Sequence, residues 1–376
     1  MRFAALDGWR GLAAVMVALF HLSAAGWFHD IPAVRHGGVA VPLFFVLSGF
    51  VIHHAYGDRL KDVAAGWRFV VRRFGRLYPL HLFTLGLLVG LEGVKLVLTG
   101  AGAGAGQAAF SRTNDLPSLA VHLALAQAVV PSGDYSWNIP SWSIGAEWAA
   151  CLVFAGLMLV AGLRGRAATV VAAVVFGGAM LCVDVFLPDL HTMQGRGLLL
   201  ALFGFFAGGA VHQAHGALRR RGWTGGTAAE LIACMVLGAL FWWKPPGDFL
   251  AIVGFSGVIL VFAFEGGRVS RGLKAGAVQF LGRISYSIYL VHFVLLAVLG
   301  GVLRTVQGVT GARLIEGAMI DFGPPGAMDL LAIAYLAVVI LCAWATYVWI
   351  ETPGRAIFNV LSERQRLWRP GQVPVS

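Results

Sequence analysis

Residues 6–21 read LDGWRGLAAVMVALFH, an apolar run that opens on Arg10 and closes on His21. Followed to residue 28, it gives a candidate span over 11–28, close to the ~20 residues that cross a hydrocarbon core about 30 Å thick. A basic start followed by an apolar run also outlines a secretory signal. Arg10 lies too far in for that, His21 interrupts the apolar stretch, and many similar runs follow, so the segment reads as an uncleaved first helix. Outward from it, further candidate spans cover 37–57, 79–99, 140–162, 167–187, 197–214, 228–244, 249–265, 284–303 and 327–350. Only 12% of the 376 residues are charged while 58% are apolar or aromatic. A soluble domain carries about 25% charge, so a soluble enzyme is excluded. Disorder is excluded by the same figures. The mean hydropathy of +0.78 agrees. The chain reads as an all-α polytopic membrane protein, in which the 50 glycines let helices approach closely in lipid.

Charge sets the orientation. The net charge of +10 would suggest nucleic acid for a soluble chain; here it follows the positive-inside rule, and membrane lipid rather than nucleic acid is the expected partner. With ten spans and a cytoplasmic start, 21 of the 28 Lys and Arg residues fall inside and 7 outside. A short eleventh apolar stretch, 117–131, is bracketed by Pro117 and Pro131. If it also crossed, the counts would become 12 inside and 16 outside. Ten spans are therefore expected, with both termini cytoplasmic and 117–131 a re-entrant or interfacial helix. The expected organisation is one membrane domain over 1–358 and a short cytoplasmic tail over 359–376, in the cytoplasmic (plasma) membrane. Residues 100–139 begin with the low-complexity AGAGAGQ, and no transporter-type repeat is evident. The four cysteines lie within apolar runs, as small membrane residues rather than a disulfide or metal set, and no metal site is expected.

Polar groups at depth are costly in hydrocarbon and therefore informative. His21 follows Arg10 by eleven residues, three turns, so both share a helix face about 16 Å apart. It is either a functional imidazole near mid-membrane or a packing histidine. Glu147, in SWSIGAEW, sits about 10 Å inward from Pro140, either functional or structurally paired. Glu92 has Lys95 one turn on, which an ion pair explains. Ser48 beside Gly49 is a close-packing or substrate-facing serine, and His292 in YSIYLVHF a second functional or packing histidine. Glu351, at the end of the last span, is suited to pair with a loop arginine. In the basic stretch 58–78, Arg72, Arg73 and Arg76 cluster at the mouth of the third span. Positive-inside accounts for them, yet guanidinium forks also suit phosphate.

Taken in order, LDGWRGLAAVMVALFH, VPLFFVLSGFVI, RRFGRLYP, IPSWSIGAEW, LGRISYSIYLVHF and YVWIETPGR resemble the acyltransferase 3 family of integral-membrane acyltransferases. The resemblance implies ten core helices and transfer of an acyl group, usually acetyl, from cytoplasmic acyl-coenzyme A (acetyl-CoA as co-substrate) to a hydroxyl of an acceptor reached from the outer side, such as a cell-envelope carbohydrate. It implies His21 as the catalytic residue, Arg10 as its partner, and Arg73 and Arg76 as donor-site residues. No hydrolase-like domain is expected after the last block.

On this reading the donor's phosphates stay at Arg72, Arg73 and Arg76 while its arm reaches mid-membrane. His21 acts as general base, and Ser48, Ser141 and Trp142 are the expected substrate-side and oxyanion groups, with His292 beside them. Glu147 orients His21 or binds acceptor hydroxyls. An acyl-histidine intermediate ranks second. The rival reading is a proton-coupled transporter or flippase with His21, Glu92, Glu147 and His292 as relay.

Overall fold

The computed structural model describes residues 2–100, 108–111, 114–130, 136–187 and 193–364. α1 (Ala4–Leu22) leads through a connector with two short helices, α2 (Trp27–Asp30) and α3 (Pro32–Arg35), into α4 (Ala40–Tyr56). Then come α5 (Val63–Gly100), α6 (Leu116–Leu123), α7 (Trp142–Ala161), α8 (Gly165–Phe186), α9 (Leu198–Arg220), α10 (Thr227–Trp243), α11 (Asp248–Phe262), α12 (Arg268–Leu273) and α13 (Gly276–Thr310). An antiparallel hairpin, β1 (Ile315–Glu316) and β2 (Met319–Ile320), precedes α14 (Pro325–Thr346), a π-helical turn at Tyr347–Glu351, and α15 (Thr352–Arg364).

Among the described residues, eight helical segments are long and apolar enough to cross a membrane. α10 and α11, 17 and 15 residues long, are shorter apolar helices at the positions read as the seventh and eighth spans. The all-α polytopic architecture is therefore as expected. α6 has eight residues and rises only about 12 Å, too little to cross. The rest of 117–131 is non-helical, and Pro131 lies outside the described residues.

Three boundaries differ from the sequence reading. α1 starts at Ala4, because Asp7 and Arg10 are paired and tolerated inside the helix, and it ends at Ser23, which takes a left-handed conformation (φ 39°). α5 starts at Val63 rather than 79. Pro79 lies within this helix, tightly packed against Gly354 of α15, so much of the basic stretch is helical. α15 continues past residue 358 and packs on α5, with Ser362 fully buried; residues 365–376 lie outside the described residues.

Glycines bring the helices together. α1 and α13 run parallel in close contact: a Cβ at Gly11 would lie 2.5 Å from the Gly282 nitrogen, and one at Gly282 would lie 2.4 Å from the Asp7 carbonyl oxygen. α4 and α9 meet as tightly, since a Cβ at Gly49 would lie 1.8 Å from the Phe205 carbonyl oxygen. The start of α12 is fixed to α10 by Glu230, fully buried, which accepts from the N–H groups of Gly267 (2.9 Å), Val269 (2.9 Å) and Ser270 (3.2 Å). These are amides that α12 leaves unsatisfied at its N-terminus. α12 in turn packs against α1.

Gly49→Ala should therefore lower the thermal stability of the purified protein by about 1–3 kcal/mol through overpacking. Gly86→Ala, where nothing lies within 4 Å, should be neutral or slightly stabilising. Scanning fluorimetry in detergent checks both; equal melting temperatures for the two variants would contradict this account of the α4–α9 contact.

Candidate active site

The parallel α1–α13 pair carries two groups of polar side chains, one near the start of each helix and one further along. At the start, the close contact at Gly282 lets Arg10 reach across: its Nη2 donates to the Gly282 carbonyl (2.9 Å) and its Nε to Ser285 Oγ (3.0 Å). Asp7, one turn back on α1, pairs with Arg10 (3.0 Å) and with Arg2 (2.7 Å).

Around this anchor α1, α4, α5, α7 and α13 enclose a cavity of about 340 Å³. Its lining includes Arg2, Asp7, Arg10, Arg73, Arg76 and Glu147, four guanidinium groups against two carboxylates. Each cation is held. Arg73 donates to Glu147 Oε1, which also accepts from Ser48 Oγ (2.7 Å). Arg76 pairs with Glu351, which is almost fully buried, accepts from Ser287 Oγ (2.8 Å) and lies 3.5 Å from Arg355. The Arg76 guanidinium also stands over the Tyr286 ring, 5.1 Å from its centroid, a cation–π contact. The remaining lining includes Leu6, Phe44, Phe45, Leu77 and Ile144. The site is thus a basic mouth continuous with apolar walls.

His21 lies three turns along α1 from Arg10, about 16 Å by helical rise, and does not line this cavity. Its Nδ1 is 2.9 Å from the Val17 carbonyl oxygen, and the Nδ1 of His292 is 3.0 Å from that of Ile288. A carbonyl only accepts, so both Nδ1 atoms carry hydrogen and both Nε2 atoms carry a lone pair. His292 Nε2 lies 3.2 Å from His21 Nδ1 and shares that atom's one hydrogen with the Val17 carbonyl. This chain fixes the His21 tautomer and leaves its Nε2 lone pair with no donor among the described residues. His21 is partly exposed and His292 fully buried. Tyr335 Oη donates to the His292 carbonyl (2.8 Å), fastening α14 to the pair.

Of the residues expected at the site, the cavity gathers Arg10, Ser48, Arg73, Arg76 and Glu147. It does not gather the others. Arg72 points to α15, donating to Ser362 Oγ (2.9 Å) and Glu363 (3.2 Å). Ser141 is buried, 3.3 Å from His122 Nδ1, and Trp142 packs against Phe45 and Gly197. Arg10 is not in contact with His21, and Glu147 meets Arg73 and Ser48 rather than an imidazole. His292 is the partner of His21 rather than a group facing open space. Glu92 is in its expected ion pair with Lys95 (2.6 Å), and also accepts from the Phe110 amide (3.1 Å) and from Asn114 (3.0 Å). The residues that sequence reasoning passed over are Asp7, Ser143, Ser285, Tyr286 and Tyr289. Asp7 was detectable as an i,i+3 partner of Arg10, and Ser285, Tyr289 and His292 as one helical stripe.

Known proteins resemble this chain over nearly its whole length. The family model described as an acyltransferase domain, that of acyltransferase 3, matches residues 3–348. The acyltransferase MdmB of Streptomyces mycarofaciens is 29% identical over 94% of this chain and 92% of its own length. A protein named as a membrane-bound transacylase, BcsY of Komagataeibacter xylinus, is 25% identical over 93% of this chain and 82% of its own. Protein 2 of the picA locus of Rhizobium radiobacter is 45% identical over 23% of this chain and 44% of its own. No solved structure matches. The order of blocks along the chain, the apolar helices that carry them and the match over nearly the whole length together make this protein a member of the acyltransferase 3 family.

Proposed function

We propose that the protein is a multi-pass O-acyltransferase of the cytoplasmic (plasma) membrane, with ten crossing helices and both termini cytoplasmic. It moves an acyl group, by preference acetyl, from cytoplasmic acyl-coenzyme A to a hydroxyl of an acceptor that arrives from the opposite side. A carbohydrate suits that role because it offers hydroxyls and stays in water. The observation that carries the reading is the arrangement along the α1–α13 pair: an arginine-lined cavity at one end, and further along an imidazole with an unengaged Nε2 lone pair.

The charges explain why the two must be separate. Coenzyme A is a polyanion that cannot enter hydrocarbon, whereas its acyl-bearing arm is long and nearly neutral. The phosphates are held at the mouth by Arg2, Arg73 and Arg76, exchanging with the carboxylates that pair these cations. The arm follows the apolar wall toward α13. His21 Nε2 removes the acceptor's hydroxyl proton as its oxygen attacks the thioester carbon. The developing oxyanion needs nearby donors; the coenzyme A thiolate then leaves and takes up a proton. Arg10 holds α1 on α13, and so acts on His21 through the register of the two helices. Glu147 and Ser48 set the orientation of Arg73.

The transporter reading asks His21, Glu92, Glu147 and His292 to form a relay. Only the two histidines touch; Glu92 and Glu147 are each engaged elsewhere, which favours the transferase.

His21→Ala should reduce transfer from radiolabelled acetyl-CoA by the purified protein at least about 10³-fold, with melting temperature and donor binding retained. Near-normal turnover would contradict the base assignment. Arg73→Gln should raise KM for acetyl-CoA about tenfold or more with a smaller change in kcat. An unchanged KM in a folded variant would remove Arg73 from the donor site.

A further inference from the structure

Phe44, Ser143 and Tyr289 belong to the lining of the cavity, and His21 and His292 do not. Tyr289 stands between the two groups. Ser285, Tyr289 and His292 follow one another at four- and three-residue spacing on α13, so they share one face. Ser285 receives Arg10 at the cavity, and His292 receives His21 beyond it. The Tyr289 ring is 6.0 Å from the His292 ring on one side and 5.5 Å from the Phe44 ring on another, edge to face in both cases. The ring is also tethered. Ser143 Oγ donates to the Pro140 carbonyl (2.9 Å), and the Tyr289 hydroxyl, 2.8 Å from Ser143 Oγ, donates to it, with the same carbonyl 3.2 Å away. α4, α7 and α13 thus each contribute to one closed seam, and Tyr289 within it is buried.

We infer that Tyr289 and Phe44 form a partition between the donor cavity and the His21–His292 pair, and that the opening left when Tyr289 swings from Ser143 decides which acyl groups reach His21. This rests on the function proposed above. A thioester must pass the two rings to meet the imidazole, so a short acyl group passes and a longer one meets the ring edges. The rings also close on the arm that fills the opening, which keeps water on the cavity side from the thioester at His21. If water took the place of the acceptor hydroxyl, it would yield the free acid and coenzyme A thiol, a loss that closure prevents. The phenol is needed as well as the ring, because the hydroxyl tether returns the partition to its closed position. Tyr289 and Phe44 are specificity-determining residues on this account, and Ser143 positions Tyr289.

The test uses the purified full-length protein with acetyl-, butyryl- and hexanoyl-CoA, measuring transfer to acceptor and thioester hydrolysis without acceptor. Phe44→Ala and Tyr289→Ala should raise the butyryl-to-acetyl ratio of kcat/KM about tenfold or more, the discrimination that packing against a few methylenes supplies. Tyr289→Phe should keep the wild-type ratio and raise acceptor-independent hydrolysis about fivefold, as loss of one neutral hydrogen bond allows. Should the alanine variants fail to fold, Phe44→Leu and Tyr289→Leu carry the same comparison with smaller shifts in the same direction. Folded variants with the wild-type ratio and wild-type hydrolysis would overturn the partition while leaving the transferase reading intact. A wild-type protein that transfers no acyl group from any of the three donors would overturn both.

Discussion

The contact between Gly11 and Gly282 is the constraint on which the site depends. There is no room for a side chain at either position, so α1 and α13 lie backbone to backbone. That closeness lets Arg10 reach a carbonyl and a hydroxyl on α13, and the parallel course carries the same register forward to His21 and His292. A bulkier residue at either glycine would part the helices at the arginine end and shift the imidazoles against each other further along. Small residues as the means of helix association are expected in lipid, where apolar surface gains nothing by leaving its surroundings. Here the same device also sets the geometry of the candidate chemistry.

Electrostatics explains why a cluster of cations can be built so far into the protein. Each arginine of the cavity has a carboxylate partner, and Arg10 also has neutral acceptors. Unpaired, these charges would be expensive to bury; paired, they are roughly neutral in their effect on stability. A phosphate ligand then replaces one anion by another rather than meeting bare cations. Such exchange favours reversible binding, which suits the proposed donor, since that donor must leave as spent coenzyme A.

The sequence was informative where a physical cost left a mark on it. The long apolar runs and the three-turn spacing from Arg10 to His21 gave the class of fold and the shared helix face, because burying charge or polar groups in lipid is costly enough to limit where they occur. Helix faces of the basic stretch were not legible. Arg72, Arg73 and Arg76 are all within helical reach of one another, and only the docking of α15 shows that Arg72 turns toward Ser362 while the other two face the cavity. Pro79 resembled a helix start, yet α5 runs through it with Gly354 packed against the ring. Ser141 and Trp142 shared a motif with Glu147 but precede or begin α7, where a short 3₁₀ turn sends Ser141 toward α6 instead. The His21–His292 bond joins residues 271 apart in sequence, and no local pattern encodes it.

In the proposed reaction, donor and acceptor meet inside the membrane from opposite sides, with the donor confined to the arginine end. Sealed proteoliposomes holding the protein in one orientation, with acetyl-CoA supplied to a single face and the hydroxyl acceptor to the other, test this most directly. The account predicts acylated acceptor only when acetyl-CoA is on the face bearing Arg2, Arg73 and Arg76. Equal product from either face, or product only when both reactants share one face, would contradict it.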